Sequence, residues 1–196
     1  MIRADLITIF HNEVNHQQHE TLLADLRRHE YGFRFLAVDN RANNRGFAAG
    51  CNLAAFHPKA TAPIIGFLNP DVAVAGPFLE VVRGVLDDTT VITGCRFGKP
   101  QRELSIWGVH DWVCGAALFV DRAWFRKAGG FDTRFVWSHE ETDLIRRAQQ
   151  DGRRCRSISL PISHKSPETD APRDVAYKRH HFAKAQRLYI KKWGSG

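Results

Sequence analysis

No hydrophobic run in this sequence approaches the ~18–20 residues of a membrane-spanning helix, and the N-terminal MIRADLITIF does not read as a signal peptide. The four cysteines, Cys51, Cys95, Cys114 and Cys155, form no C-x-x-C pair and lie beside apolar or small residues. That pattern favours reduced packing thiols over disulfides or a zinc site. Neither G-x-G-x-x-G nor G-x-x-x-x-G-K-[ST] occurs, so a dinucleotide or P-loop reading has no support. Internal repeats, low-complexity tracts and a domain linker are also missing. These absences lead to the expectation of a single domain over 1–196, without a transmembrane segment and cytoplasmic.

The composition is ordinary for a globular protein, with 43% hydrophobic and 25% charged residues in 196. The net charge of +7, with much of the excess near the end, is compatible with nucleic acid, an anionic membrane surface or a phosphorylated small molecule.

Taken in order, the first half alternates strands and helices. Strands are expected at 6–10, 33–38, 64–68 and 91–93, and helices at 17–30, 47–56 and 77–87. This order predicts an α/β layer architecture with a mainly parallel central sheet. In such sheets ligands sit beyond the carboxyl ends of the strands. Asn12, Asp39 and Asp71 each follow a strand end and are candidates to line one crevice. The second half predicts an irregular or antiparallel excursion over 95–110, carrying Arg96, Lys99, Arg102 and Trp107. A strand is expected over 112–120, with small residues that admit close approach, then a short helix capped by Asp121. A helix over 140–150, a strand around 157–160 and a basic C-terminal helix over 173–193 complete the pattern.

The most informative stretch is residues 131–144, an aromatic-rich run that delivers Glu140, Glu141 and Asp143 at the start of a helix. Acids at a helix N-terminus also favour the positive end of the macrodipole with no further role. A carboxyl held against Phe135 and Trp137 has its pKa pushed upward, as a general base near neutral pH needs. Asn69-Pro70-Asp71 sets one carboxylate on a rigid turn after a buried strand, suited to a hard divalent cation or simply to a turn. His164 is a candidate to complete such a site with Asp71 or to contact a phosphate, or else a packing histidine. Arg45-Gly46-Phe47 offers a cation and a close-approach glycine at a helix start, a phosphate neighbourhood. Cys114 has no evident histidine partner for a nucleophilic role.

In order, the chain carries Val38-Asp39-Asn40, Asn44 to Asn52, Leu68-Asn69-Pro70-Asp71, Trp112 to Ala116, Gly129 to Asp132, Glu140 to Leu144 and His164. This order resembles the family 2 glycosyltransferases of the GT-A (Rossmann-like) fold, particularly the rhamnosyltransferase-like branch, over residues 6–165. The resemblance implies a core of about 2–165 with helices on both faces of the sheet and a helical extension at about 173–193. It implies donor contacts from Phe10, Asn12, Asp39, Arg45, Gly46, Phe47, Asn69 and Asp71, with Asp39 at the nucleotide base. Asp71, joined by His164, would hold Mn²⁺ or Mg²⁺ against the diphosphate of a UDP-, GDP- or dTDP-sugar. Glu141 falls at the catalytic base, with Asp143 as a structural or acceptor-orienting acid. Trp112, Cys114, Gly115, Trp137 and Glu140 fall on the acceptor side.

The expected activity is therefore inverting, metal-dependent transfer of a hexosyl-type sugar to an acceptor hydroxyl. The chain departs from the family in three ways: Glu141 is one methylene longer than the usual aspartate, the loop after Asp39 is short, and the C-terminal helices or membrane segments of many relatives are missing. Two alternatives stand beside this reading: a non-catalytic nucleotide-sugar or glycan-binding module, and a nucleic-acid binder. The second would use Arg179, Lys184, Arg187, Lys191 and Lys192 on phosphates, with Tyr189 or Trp193 stacking on bases. The same helix is a candidate contact for an anionic surface.

Overall fold

Strand β1 (Ala4–Phe10) is buried along its whole length, as a central strand covered on both faces must be. The computed structural model describes residues 2–98, 102–105, 108–164 and 172–194. In it β1 pairs in parallel with β2 (Phe33–Asp39) on one side and β3 (Ile64–Leu68) on the other. Beyond β3 lie β8 (Ala117–Asp121), β5 (Thr90–Cys95) and β9 (Arg154–Ile158), giving the order β2-β1-β3-β8-β5-β9. Only β8 runs against its neighbours, so the central sheet is mostly parallel as expected.

The two-residue period of the strands divides the core into two layers. Ile7 and Ile9 of β1 and Ile65 and Phe67 of β3 pack with α2 (Phe47–Ala55), α4 (Arg122–Lys127) and α5 (Glu140–Gln150). Leu6, Ile64 and Leu68 face the opposite way, onto Leu22 and Leu26 of α1 (Glu13–His29) and Leu79 and Val82 of α3 (Leu79–Val85). Two acids hold backbone inside these layers. Asp5 Oδ2 accepts from the Ala62 N–H at 2.8 Å, and Glu30 Oε1 accepts from the Phe78 and Leu79 N–H groups at the open start of α3.

Several elements depart from expectation for local reasons. Helix α1 starts at Glu13, earlier than the predicted 17, because Asn12 Oδ1 accepts from the Asn15 N–H at 2.8 Å and caps it. The strand predicted over 112–120 begins only at Ala117, since the chain turns at Gly115 and Ala117 N–H returns to Cys114 O. The excursion over 95–110 is an antiparallel pair, β6 (Arg102–Ser105) and β7 (Gly108–Asp111), while Lys99 and Trp107 lie outside the described residues. Two three-residue strands were not foreseen: β4 (Val72–Val74) and β10 (Ile162–His164), which pair antiparallel with each other.

The basic C-terminal helix α6 (Pro172–Trp193) ends against the head of α5. Asp143 is fully buried and saturated there: Lys192 Nζ lies 2.7 Å from Oδ1, Trp193 Nε1 donates to Oδ1 at 2.9 Å, and Arg147 Nε donates to Oδ2 at 2.9 Å. Lys192 also reaches Asp132 at 2.9 Å, and Arg146 Nε donates to the Tyr189 hydroxyl at 2.7 Å. The Arg134 guanidinium, with Lys192 behind it, holds the Asp132 carboxyl well below the usual carboxylate range. Lys192, Tyr189 and Trp193 are thus engaged within the protein, leaving Arg179, Lys184, Arg187 and Lys191 exposed. No helix among the described residues is long and apolar enough to cross a membrane.

Removing one member of a buried charge cluster leaves the others uncompensated and costs about 3–5 kcal/mol. Asp143→Ala is expected to lose stability on that scale in urea unfolding, with α6 undocked and its amides exchanging faster. An unchanged midpoint would show that α6 is held by other contacts.

Candidate active site

The acid-bearing loop is fixed before the acids are reached. Phe131 is buried against Phe67 and Phe125, with ring centroids 4.9 and 5.4 Å away, and Phe135 is also fully enclosed. Asn52 of α2 grips the loop at both atoms of one residue: its Nδ2 donates to Phe131 O at 2.8 Å and its Oδ1 accepts from Phe131 N–H at 2.9 Å. Gly46 allows a second close approach. It adopts φ +81°, and a Cβ there would lie 2.6 Å from Val136 O, the carbonyl that receives the Phe47 N–H. The chain then passes through Ser138 (φ 73°) and His139 (φ 68°), left-handed conformations that a non-glycine residue adopts at a cost of ~1–3 kcal/mol. That reversal starts α5 with Glu140 and Glu141 at its head.

Both carboxyls titrate above their ordinary range. Burial is the first cause for each, and for Glu140 the neighbouring charge of Glu141 adds to it. For Glu141 the N–H groups of its own residue and of Thr142 pull in the opposite direction, as expected at a helix N-terminus. Glu140 is 7% exposed, with Oε2 buried and unpartnered. Glu141 lies over the turn at Gly115, where a Cβ would come within 3.7 Å of its carboxyl carbon. That is ordinary van der Waals contact, so Glu141 packs directly on the turn.

The second acidic group comes from the strand-end turn. Asn69 N–H donates to Ala116 O at 2.9 Å and Val72 N–H closes back on Asn69 O at 3.3 Å, so Pro70 and Asp71 are held in a tied turn. The β4–β10 pairing sets His164 opposite Val72, next to Asp71. His164 Nε2 lies 3.2 Å from Asp71 Oδ2, and Phe97 packs on the imidazole at 5.5 Å.

One cavity of about 350 Å³ joins the two groups. Of the residues singled out in the sequence, Phe47, Asn69, Asp71, Cys114, Gly115, Trp137, Glu140, Glu141 and His164 line it. Phe10, Asn12, Asp39, Arg45 and Gly46 do not. Asn12 caps α1, Gly46 packs on Val136, Arg45 is exposed, and Asp39 is bound by Arg41 at 2.7 Å. Hydrogen bonds from Arg41, which also reaches Glu13 and lies over the Phe10 ring, hold the Asp39 carboxyl down at about 2. Trp112 lines a neighbouring cavity. Asp143, grouped with Glu141 as catalytic in the sequence reading, points into the α6 contact and not the cavity.

Sequence reasoning missed His11, Asn15 and Ser138, which also line the cavity. His11 Nδ1 is buried without a partner, and burial lowers the imidazole pKa. Its one signal was position, immediately after β1. A larger depression of about 520 Å³ lies elsewhere, beside Asp87, Asp121 and Arg153. Two of its three acids serve structure: Asp121 caps α4, and Asp87 accepts from Thr89 and Thr90. His16, His19 and Glu20 cluster on α1, outside the main cavity.

No protein-family model matches the chain, and no curated protein does. Solved structures do resemble it. The catalytic domain of Drosophila beta1,4-galactosyltransferase 7, in complex with xylobiose, superposes with a TM-score of 0.59 at 15% identity, covering 91% of this chain and 80% of that one. A mutant of that enzyme in complex with manganese, UDP-Gal and xylobiose gives 0.57 at 14% identity, with the same 91% and 80% coverage. Mannosyl-3-phosphoglycerate synthase from Rubrobacter xylanophilus gives 0.57 at 10% identity, covering 98% of this chain and 75% of the other. The chain thus has the GT-A glycosyltransferase fold.

The raised Glu140 carboxyl makes a stability prediction. The folded state binds its proton more tightly than the unfolded state, so stability is full below the ordinary carboxylate pKa and falls as pH rises above it. Glu140→Gln removes that loss. Its melting temperature is expected to match wild type near about pH 4 and to exceed it by several degrees near pH 8. A constant difference across the range would show that Glu140 is not held out of water.

Proposed function

We propose that this chain transfers a sugar from a nucleotide-sugar donor to an acceptor hydroxyl, with inversion at the anomeric carbon. The observation that carries the reading is the shared cavity: a carboxyl with raised pKa, Glu141, and the Asp71–His164 pair line the same space. The fold supports the same class. Within that fold, family 2 and its rhamnosyltransferase-like branch rest on the order of sequence motifs.

A divalent cation fits the Asp71–His164 pair. One carboxylate oxygen and one imidazole nitrogen 3.2 Å apart converge, and two protein ligands leave positions for diphosphate oxygens. The mixed oxygen and nitrogen donors favour Mn²⁺ over Mg²⁺, which prefers an all-oxygen shell. When bound, the cation would offset the charge of the departing diphosphate.

The chain's own groups carry the rest of the reaction. Glu141, ionised, takes the proton of the acceptor hydroxyl. The acceptor oxygen forms its bond to the anomeric carbon as the bond from that carbon to the diphosphate breaks, and the nucleoside diphosphate leaves with the electron pair. One base and one displacement require no covalent sugar–enzyme intermediate. Phe47 and Trp137 supply apolar wall, while Asn69 and Asn15 offer polar contacts to the donor. Asp39, with Phe10 beneath Arg41, is kept for the nucleobase, where Arg41 must first be displaced from its carboxylate.

Incubation with UDP-, GDP- and dTDP-sugars in Mn²⁺ or Mg²⁺ is expected to release nucleoside diphosphate from one donor, by slow transfer to water. Asp71→Ala should abolish release, and Glu141→Gln should lower it by about 10²–10⁴-fold. The wild-type rate should rise with pH along a limb above the ordinary carboxylate range, because Glu141 acts only when ionised. No release from any donor, together with no calorimetric donor binding, would overturn the reading.

A further inference from the structure

A second cavity, about 230 Å³, adjoins the first, and Cys114 and His164 line both. Its remaining wall includes Arg96, Phe97, Trp112 and Ser157. We propose that this cavity is an acceptor subsite for an anionic group, a phosphate or a carboxylate carried by the acceptor, with Arg96 as its counter-charge. The assignment to the acceptor rests on the glycosyltransferase reading above.

Arg96 immediately follows β5, and its backbone N–H donates to Ile158 O at 2.7 Å. Nη2 donates to Ser157 O at 2.8 Å, which fixes the guanidinium across the β5–β9 edge. The group is half-buried, and Nε is enclosed with no hydrogen-bond partner. Among the described residues it has no carboxylate within ion-pair distance. Other arginines of the chain do: Arg41 pairs with Asp39 and Glu13, Arg134 with Asp132, and Arg147 with Asp143. The nearby acid Asp111 accepts instead from the Ser157 N–H at 3.1 Å. A partly desolvated cation without a counter-ion is unfavourable unless an anion completes it.

The charge of the main cavity gives Arg96 a purpose. Asp71 and, once ionised, Glu141 line that cavity, so an anionic acceptor approaching them meets like charge. A fixed guanidinium on the acceptor flank offsets this repulsion and holds the anion by charge-assisted hydrogen bonds. A neutral acceptor would gain nothing from it. Trp112 and Phe97 supply apolar wall beside the cation, suited to the carbon frame that bears the anion.

The test needs no knowledge of the acceptor. Inorganic phosphate and acetate are titrated separately into metal-free protein, and the indole N–H resonance of Trp112 is followed by NMR. At least one should produce a saturable shift that weakens with salt, weakens by about tenfold or more in Arg96→Gln, and is partly retained in Arg96→Lys. An unmoved Trp112, or an identical shift in Arg96→Gln, would overturn the site. The titration is repeated with Mg²⁺ and the nucleoside diphosphate identified by donor release. Persistent anion binding supports the acceptor assignment. Competition between the two, with weaker nucleotide binding in Arg96→Gln, would instead give Arg96 to the donor diphosphate and overturn that assignment. If no donor is bound or hydrolysed, the glycosyltransferase reading fails separately, while the metal-free titration still decides whether Arg96 holds an anion.

Discussion

Two adjacent carboxyls held largely out of water at the head of one helix set the terms for the rest of this structure. Glu140 and Glu141 resist ionisation because burial removes solvent, and for Glu140 the charge of Glu141 adds to it. Such an arrangement persists only if its surroundings determine it fully. The left-handed turn at Ser138 and His139 aims the pair, Asn52 clamps the backbone of Phe131, and Gly46 lets α2 lie against Val136. One turn into α5, Asp143 gathers Lys192, Trp193 and Arg147, tying the last turn of α6 to the same helix head. The C-terminal helix therefore contributes to the geometry of the acids, and none of its described side chains lines their cavity.

Across the cavity the constraint is one of placement. Asp71 ends a tied turn after β3, and His164 reaches it only because two three-residue strands pair beyond the main sheet. Asp71 and His164 thus come from segments more than ninety residues apart along the chain, yet their side chains meet at 3.2 Å. The proposed reaction runs between a raised carboxyl, offered as the proton acceptor, and a carboxylate–imidazole pair, offered as cation ligands. Arg96, without a carboxylate partner among the described residues, lies on the flank where Cys114 and His164 are shared between neighbouring cavities.

The main strands were legible because their signal is local and strong. The apolar runs 64–68 and 33–38 are strands β3 and β2 almost to the residue, and the amphipathic pattern at 140–150 is α5. Asp121 as a cap was equally direct, since its hydrogen bond is to Trp124 three residues on. The short strands β4 and β10 were not legible: three residues beside a proline or a turn carry no period, and only their mutual pairing makes them strands. Asn12 shows a different limit. A polar residue at a strand end suits both a ligand contact and a helix cap, and here the cap takes it while Asn15 reaches the cavity. Asp143 looked like part of the acid cluster because sequence distance says nothing of which way a side chain turns on a helix. Beside Arg147 of its own helix, its partners Lys192 and Trp193 come from α6, about fifty residues later.

In the proposed site, Asp71 and His164 together hold a cation within the cavity of Glu141. Electron spin echo spectroscopy of Mn²⁺ bound with the nucleoside diphosphate tests it most directly, because a coordinated imidazole imprints nitrogen modulation on the manganese signal. Modulation from one histidine nitrogen is expected, absent in His164→Ala, with no bound manganese in Asp71→Ala. Manganese bound without nitrogen coupling, or bound equally well when both residues are replaced, would contradict it.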